Sequence, residues 1–371
     1  MTAPRRRSQP LKQAKMKIRH LIPALLLFAN IAAHSQDLLW KAGVHTFFDN
    51  AEFGGSTSLT PQTMAGVHVA PEIGLALDGR HSVHAGIDLL HEYGSDKAID
   101  IYTPVAYYQY EGAPFRFYAG SIPRNMILEK YPRMFFTDSI SNYRPTINGI
   151  FWEYGTSKKY ANLWLDWTGR QSEARREAFF IGWSGRYYNK MFYAQHFGYM
   201  FHYAKTKNPV SDEFIHDNGL TLTSVGLDLS ETFGLEKFET GIGYSLALDR
   251  DRGAGKWNAP QGMLWELKAE YKGLGLFNTY YKGEGQQIYR ADHGSDLYWG
   301  DPAYGADEYE RVDLYIRFMH TKAVKLKFTY SIHLRDKHIY HQQALYATFD
   351  LDNIKGKAEA KKYSYIWDDW F

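Results

Sequence analysis

Glu72, His84 and Asp88 are the side chains in this sequence whose types could do chemistry at close quarters. They lie on two consecutive alternating stretches joined by the tight Gly79-Arg80-His81 connection. Pairing Asp78 with Ser82 around that turn sets Glu72 opposite Asp88, and two adjacent carboxylates can share a proton or hold a cation. His84 lies about 13 Å from Asp88 along a strand, too far for a catalytic hydrogen bond. Ser82 and His84 share a face but stand about 7 Å apart along the strand, a weak nucleophile–base pair. The plainer reading of these groups is polar wall residue, and no catalytic residue is assigned.

A second concentration of charge is Ile122–Pro145, with Arg124, Glu129, Lys130, Arg133, Asp138 and Arg144. The segment is too long for a simple hairpin loop. Met126, Ile127, Leu128, Met134, Phe135 and Phe136 within it need burial. It is expected to fold inward, with Arg124, Lys130, Arg133, Asp138 and Arg144 setting a constriction. A third is a basic wall. Alternation places Arg311, Arg317, Lys325 and Lys327 on one face of two paired strands, with Arg317 beside Lys325. Arg116 and Arg186 face the same way on their own strands. Like charges opposite one another destabilise a strand pair unless water or acids offset them, and Asp228, Glu239, Glu266, Glu270 and Asp313 alternate onto that face too. The loop Gly283–Glu308 carries Asp292, Asp296, Asp301, Asp307 and Glu308 among aromatics, but lacks the spacing of a calcium loop. The histidines have no metal-ligand spacing, and no metal or cofactor is expected.

The elements that carry these side chains are strands. Tyr309–Met319 and Ala323–Leu334 alternate apolar and polar residues, each over roughly the 10–12 residues that a tilted strand needs to cross a bilayer. Sixteen such stretches can be counted from Leu38 to Leu351. Their connections alternate in length. Gly112-Ala113-Pro114, Asn189-Lys190 and Lys272-Gly273 are tight, whereas Asp49–Gln62, Ile122–Pro145, Lys205–Asn218 and Gly283–Glu308 are long. A soluble sandwich has no reason to sort its loops by parity, whereas a meander barrel has short periplasmic turns and long outer loops. The expected fold is all-β: a transmembrane antiparallel up-and-down barrel of about 16 strands, with 14–18 compatible.

Leu21–Ala33 is an apolar run too short to span as a helix, preceded by Lys15, Lys17 and Arg19 and followed by Ala33-His34-Ser35. It reads as a secretory signal, so residues 1–35 are expected to be removed and 36–371 to form one barrel domain. Seven basic and no acidic residues precede Gln36, so the formal charge passes from +2 to about −5 and nucleic-acid binding loses its support. The chain contains no cysteine, hence no disulfide framework.

Size, strand parity and the long connection after the fifth strand resemble the sixteen-stranded general porins of Gram-negative outer membranes, in architecture and without a shared motif. The resemblance implies an outer-membrane channel for passive diffusion of small hydrophilic solutes, embedded in outer-membrane lipid and lipopolysaccharide, and is compatible with a homotrimer. Loop and wall charges suggest a modest anion preference. Residues 352–371 form a tail or a closing strand. Phe371, preceded by Tyr363, Tyr365 and Trp367, resembles the C-terminal signal read by the barrel-assembly machinery. The expectation is therefore a channel and not an enzyme. The alternatives are a barrel enzyme acting on outer-membrane lipid, whose phospholipase-type His-x-Ser-Asn-Gly motif is missing, and an adhesion or scaffold barrel.

Overall fold

The computed structural model describes residues 37–56, 59–128, 130–286, 299–353 and Tyr365. The expected signal segment 1–35, and Glu129, Asp292, Asp296, Tyr363, Trp367 and Phe371, lie outside the described residues.

Strands β1 (Asp37–Glu52), β2 (Gln62–Ala76), β3 (His81–Glu92), β4 (Ile101–Gly112), β5 (Phe115–Pro123), β6 (Thr146–Gly155), β7 (Lys159–Gly169) and β8 (Ala178–Asn189) make the first half of a closed antiparallel barrel. The second half is β9 (Phe192–Tyr203), β10 (His216–Asp228), β11 (Lys237–Asp251), β12 (Gln261–Tyr271), β13 (Leu274–Gly283), β14 (Glu308–His320), β15 (Val324–Arg335) and β16 (His338–Asp352). Each strand pairs with its neighbours in sequence. β1 and β16 close the ring from Lys41↔Asp352 to Glu52↔His341, which removes the exposed edges of an open sheet.

Alternation decides which side chains face where. Leu38, Ile73, Tyr102, Phe192, Val225 and Ile339 are exposed on the outer surface, whereas Phe47, Trp164, Phe180, Tyr199 and Tyr309 are buried on the inner one. Apolar residues outside and a mixed interior suit a barrel surrounded by hydrocarbon. The short connections share one rim and most of the long ones the other. On the long-loop rim, β15 and β16 are joined by Asp336 and Lys337 alone, both with positive φ, as a two-residue hairpin turn of matching twist requires.

Register departs from expectation at two places. Arg317 lies opposite Lys327, two residues from the expected Lys325, because β14 and β15 meet at the turn as His320↔Lys325, and a bulge between Arg317 and Met319 then shifts the pairing by one. β2 and β3 pair from Ala76↔Ser82, not from Asp78, so Glu72 faces Gly86 and not Asp88.

The lumen is crossed by residues 124–145, which carry α1 (Asn125–Leu128) and α2 (Asp138–Tyr143). Met134 and Phe135 are fully buried there. Tyr131 packs edge-on against Trp164 and Phe197, and Phe136 against Phe180. The short turn Pro302–Gly305 adds Tyr304, set edge-on between Tyr281 and Tyr309. Wall and inserted residues thus make one apolar core inside the barrel. Burying these aromatics against the wall offsets the entropy of ordering so long a segment.

Candidate active site

β2, β3 and β4 bring three polar groups into line on the inner wall, towards the short-turn rim. Ser82 Oγ lies 2.9 Å from His84 Nε2, and His84 Nδ1 lies 3.0 Å from Glu72 Oε1. All three side chains are buried. With the Nδ1 proton directed at the carboxylate, Nε2 is left to accept the serine hydroxyl proton. This is the arrangement that turns a hydroxyl into a nucleophile. Tyr107, from β4, donates its hydroxyl to Glu72 Oε1 at 2.7 Å, and its ring stacks on the His84 imidazole with centroids 4.7 Å apart and planes within 5°.

The backbone makes room for this. Gly74 faces His84 across the ladder, and a Cβ there would come within 2.8 Å of His84 Nδ1. Gly86 faces Glu72, where a Cβ would meet the Pro71 carbonyl oxygen at 2.4 Å and Glu72 Cβ at 3.1 Å. Sequence spacing missed the Ser82–His84 pair because it measures backbone separation, which the two side chains close. The two glycines in the opposing strands are the signal that could have found it.

Asp88 belongs to a separate pair, with its Oδ1 2.6 Å from His68 Nδ1. His68 Nε2 is buried without a hydrogen-bond partner, as is Asn142 Nδ2 on α2. No third group completes a nucleophilic constellation here among the described residues. The described residues also hold no group of three or more His, Asp or Glu placed to bind a metal ion.

Of the expected constriction residues, Arg124 donates to Asp166 Oδ2 at 2.7 Å and to backbone carbonyls. Arg133 donates to Asp138 and to Asp313, each at 2.9 Å. Lys130 sits 4.8 Å from the Tyr160 ring centroid, and Arg144 lies 4.3 Å from that of Trp299. Of the expected wall residues, Arg311 pairs with Asp313, Arg317 with Glu270, Arg116 with Glu153 and Arg186 with Glu239. Lys327 lies over the Tyr315 ring, and Lys325 is exposed at the short-turn rim.

A family model described as lipid A 3'-O-deacylase-type matches residues 31–357. The chain belongs to that family. This overturns the expectation that the protein is not an enzyme, since the family is named for cleavage of an acyl ester. Comparison with curated proteins gives no match. Among solved structures the chain is similar to OmpT of Vibrio cholerae, as a loop L8 deletion mutant at a TM-score of 0.54 and as a trimer form at 0.52. Each is 8% identical, over 85% of this chain and 99% of that one. At that identity the likeness is one of fold, that of an outer-membrane β-barrel. Family and fold place this deacylase-type protein in the bacterial outer membrane.

Proposed function

We propose that this protein is an outer-membrane ester hydrolase that removes an O-linked acyl chain from a lipid, with Ser82 as nucleophile, His84 as general base and acid, and Glu72 orienting and charge-stabilising His84. The observation that carries the reading is the unbroken Ser82–His84–Glu72 chain, in a protein of a deacylase-type family.

Ser82 Oγ adds to the ester carbonyl carbon while its proton passes to His84 Nε2. The tetrahedral adduct then collapses, and the departing alkoxide takes that proton, leaving an acyl-serine. Water repeats the sequence with His84 as base, releasing the fatty acid and restoring Ser82. Glu72 stays ionised throughout, and Tyr107 holds both it and the imidazole plane.

A passive channel has less support. It needs a continuous water path, and segment 124–145 fills much of the described lumen with packed aromatics. The charges expected to select anions are largely taken up in ion pairs with wall acids.

The test uses purified protein in detergent with lipopolysaccharide, and in parallel with glycerophospholipid. Released fatty acid and the mass of the remaining lipid are measured by mass spectrometry. The expected outcome is loss of one ester-linked chain, reduced about 10³–10⁴-fold or more in Ser82→Ala and His84→Ala and less in Glu72→Gln. Turnover unchanged in Ser82→Ala would remove the triad from the mechanism.

A further inference from the structure

A serine that adds to an ester leaves negative charge on the former carbonyl oxygen, and that charge needs donors already aimed at it. Backbone N–H groups beside the nucleophile often supply them. Here they are not free to do so. Ser82 sits within β3, which pairs with β2 through Ala76↔Ser82 and with β4 through Ser82↔Gln109. The N–H groups on either side of it are therefore committed to the two ladders, and the donor has to be a side chain of the inner wall.

Few such side chains surround Ser82. Ala76, opposite on β2, has no polar atom in its side chain. Glu72 and His84 belong to the triad, and the Tyr107 hydroxyl donates to Glu72. Gln109 lies directly opposite Ser82 on β4, where facing residues have Cβ atoms about 4.5–5.5 Å apart. It shares the inner face with Tyr107, two residues away, whose ring stacks on its own β3 partner His84. On its other side Gln109 faces Tyr118 of β5. The Tyr118 hydroxyl donates to Glu111, and Arg116 on the same strand is taken by Glu153. The Gln109 amide is half-buried and has no hydrogen-bond partner among the described residues.

We infer that the Gln109 side-chain amide is the oxyanion donor of this site. The inference rests on the triad reading above and adds the group that binds the charge which the triad creates. His84 lies along the strand from Ser82 and Gln109 lies across it. Proton acceptor and oxyanion donor thus approach the ester from different directions, as addition to a carbonyl requires. As the bond from Ser82 Oγ to carbon forms, the carbonyl π pair moves onto oxygen, and Gln109 Nε2–H donates to that oxygen without giving up its proton. On collapse the pair re-forms the carbonyl, the alkoxide leaves with the proton from His84, and Gln109 is unchanged. A neutral amide does this without a charge that would compete with Glu72 for the imidazolium.

The experiment measures kcat and KM of the purified full-length protein in detergent, with p-nitrophenyl butyrate and with lipopolysaccharide. The variants are Gln109→Ala, Gln109→Glu, Ser82→Ala and Arg80→Ala, the last because Arg80 is exposed in the turn two residues before Ser82. Folding is judged by heat-dependent gel mobility. The expected result is a loss of about 10²–10³-fold in kcat for Gln109→Ala with KM nearly unchanged. Gln109→Glu should lose at least as much, because it keeps the side chain's size but sets negative charge against the oxyanion. Arg80→Ala should keep its kcat. A packing role predicts the opposite, an active Gln109→Glu, so this variant decides the case even where the alanine variant fails to fold. Wild-type kcat in Gln109→Glu, a loss confined to KM, or an equal loss in Arg80→Ala would overturn the inference, while an inactive Ser82→Ala keeps the triad. Full activity in Ser82→Ala, or no turnover of either ester by the wild type, would overturn the triad and this inference with it.

Discussion

A serine and a histidine two apart on a strand share a face in any β-protein, so their pairing alone means little. What distinguishes Ser82 and His84 is the third group and the space left for it. Glu72 reaches His84 diagonally across the ladder, and Gly74 lets the ring turn towards it. Gly74→Ala would press a methyl group against His84 Nδ1 and the Val83 carbonyl oxygen, at 2.8 and 2.9 Å. The strand is rigid there, so the ring must move. A shift of this kind costs about 10²-fold in rate when it disturbs a reacting group. We expect Gly74→Ala to fold as a barrel, judged by its heat-dependent mobility on a gel, and to lose turnover to about that extent. Asp88→Asn breaks the only other buried His–carboxylate hydrogen bond on β2 and β3, so it should leave turnover unchanged. Full activity in Gly74→Ala, or inactivity in folded Asp88→Asn, would exchange the roles of the two pairs.

At the level of elements, the sequence revealed strands far better than it revealed the site. Period-two alternation survives every local uncertainty, because one face of each strand must meet lipid; hence sixteen stretches and the parity of their loops could be read directly. The inward course of 124–145 followed from six apolar side chains with nowhere else to be buried. The triad was hidden because it depends on register. Starting β2 and β3 at Ala76↔Ser82, two residues short of the assumed pairing, moves Glu72 from Asp88 to the neighbourhood of His84. Arg317 met Lys327 and not Lys325 for a similar reason: the strands meet at the turn as His320↔Lys325, and a bulge then shifts the pairing by one. One loop has a pH-dependent consequence of its own. Asp100 accepts the Ser95 hydroxyl and, at 2.7 Å, the Glu92 backbone N–H; these bonds, the Ser95 one first, hold its carboxyl below the usual range. A depressed carboxylate pKa stabilises the folded loop above the unfolded value of about 4, and the contribution is lost as pH falls through the lowered one. Hydrogen exchange at the Glu92 and Ser95 amides should therefore accelerate below about pH 4. In Asp100→Asn it should already be fast at neutral pH. An exchange rate flat from pH 6 to acid, after correction for intrinsic chemistry, would show that the carboxylate does not hold the loop.

For the whole molecule, the question is whether sixteen strands imply a pore. A barrel of this size has room for water, and an empty one would conduct ions. Here Met134, Phe135, Phe180 and Phe201 are buried inside the ring, so part of the lumen is a protein core and the wall acts as a scaffold around it. The two descriptions differ in a measurable way. In planar bilayers the intact protein should conduct far less than an open sixteen-stranded pore. Replacing residues 126–143 with a short glycine-serine linker should raise the conductance several-fold, because it removes α1, α2 and their aromatic anchors but no strand. If the intact protein already conducts as an open pore, or if the excision leaves the conductance unchanged, the segment does not fill the lumen.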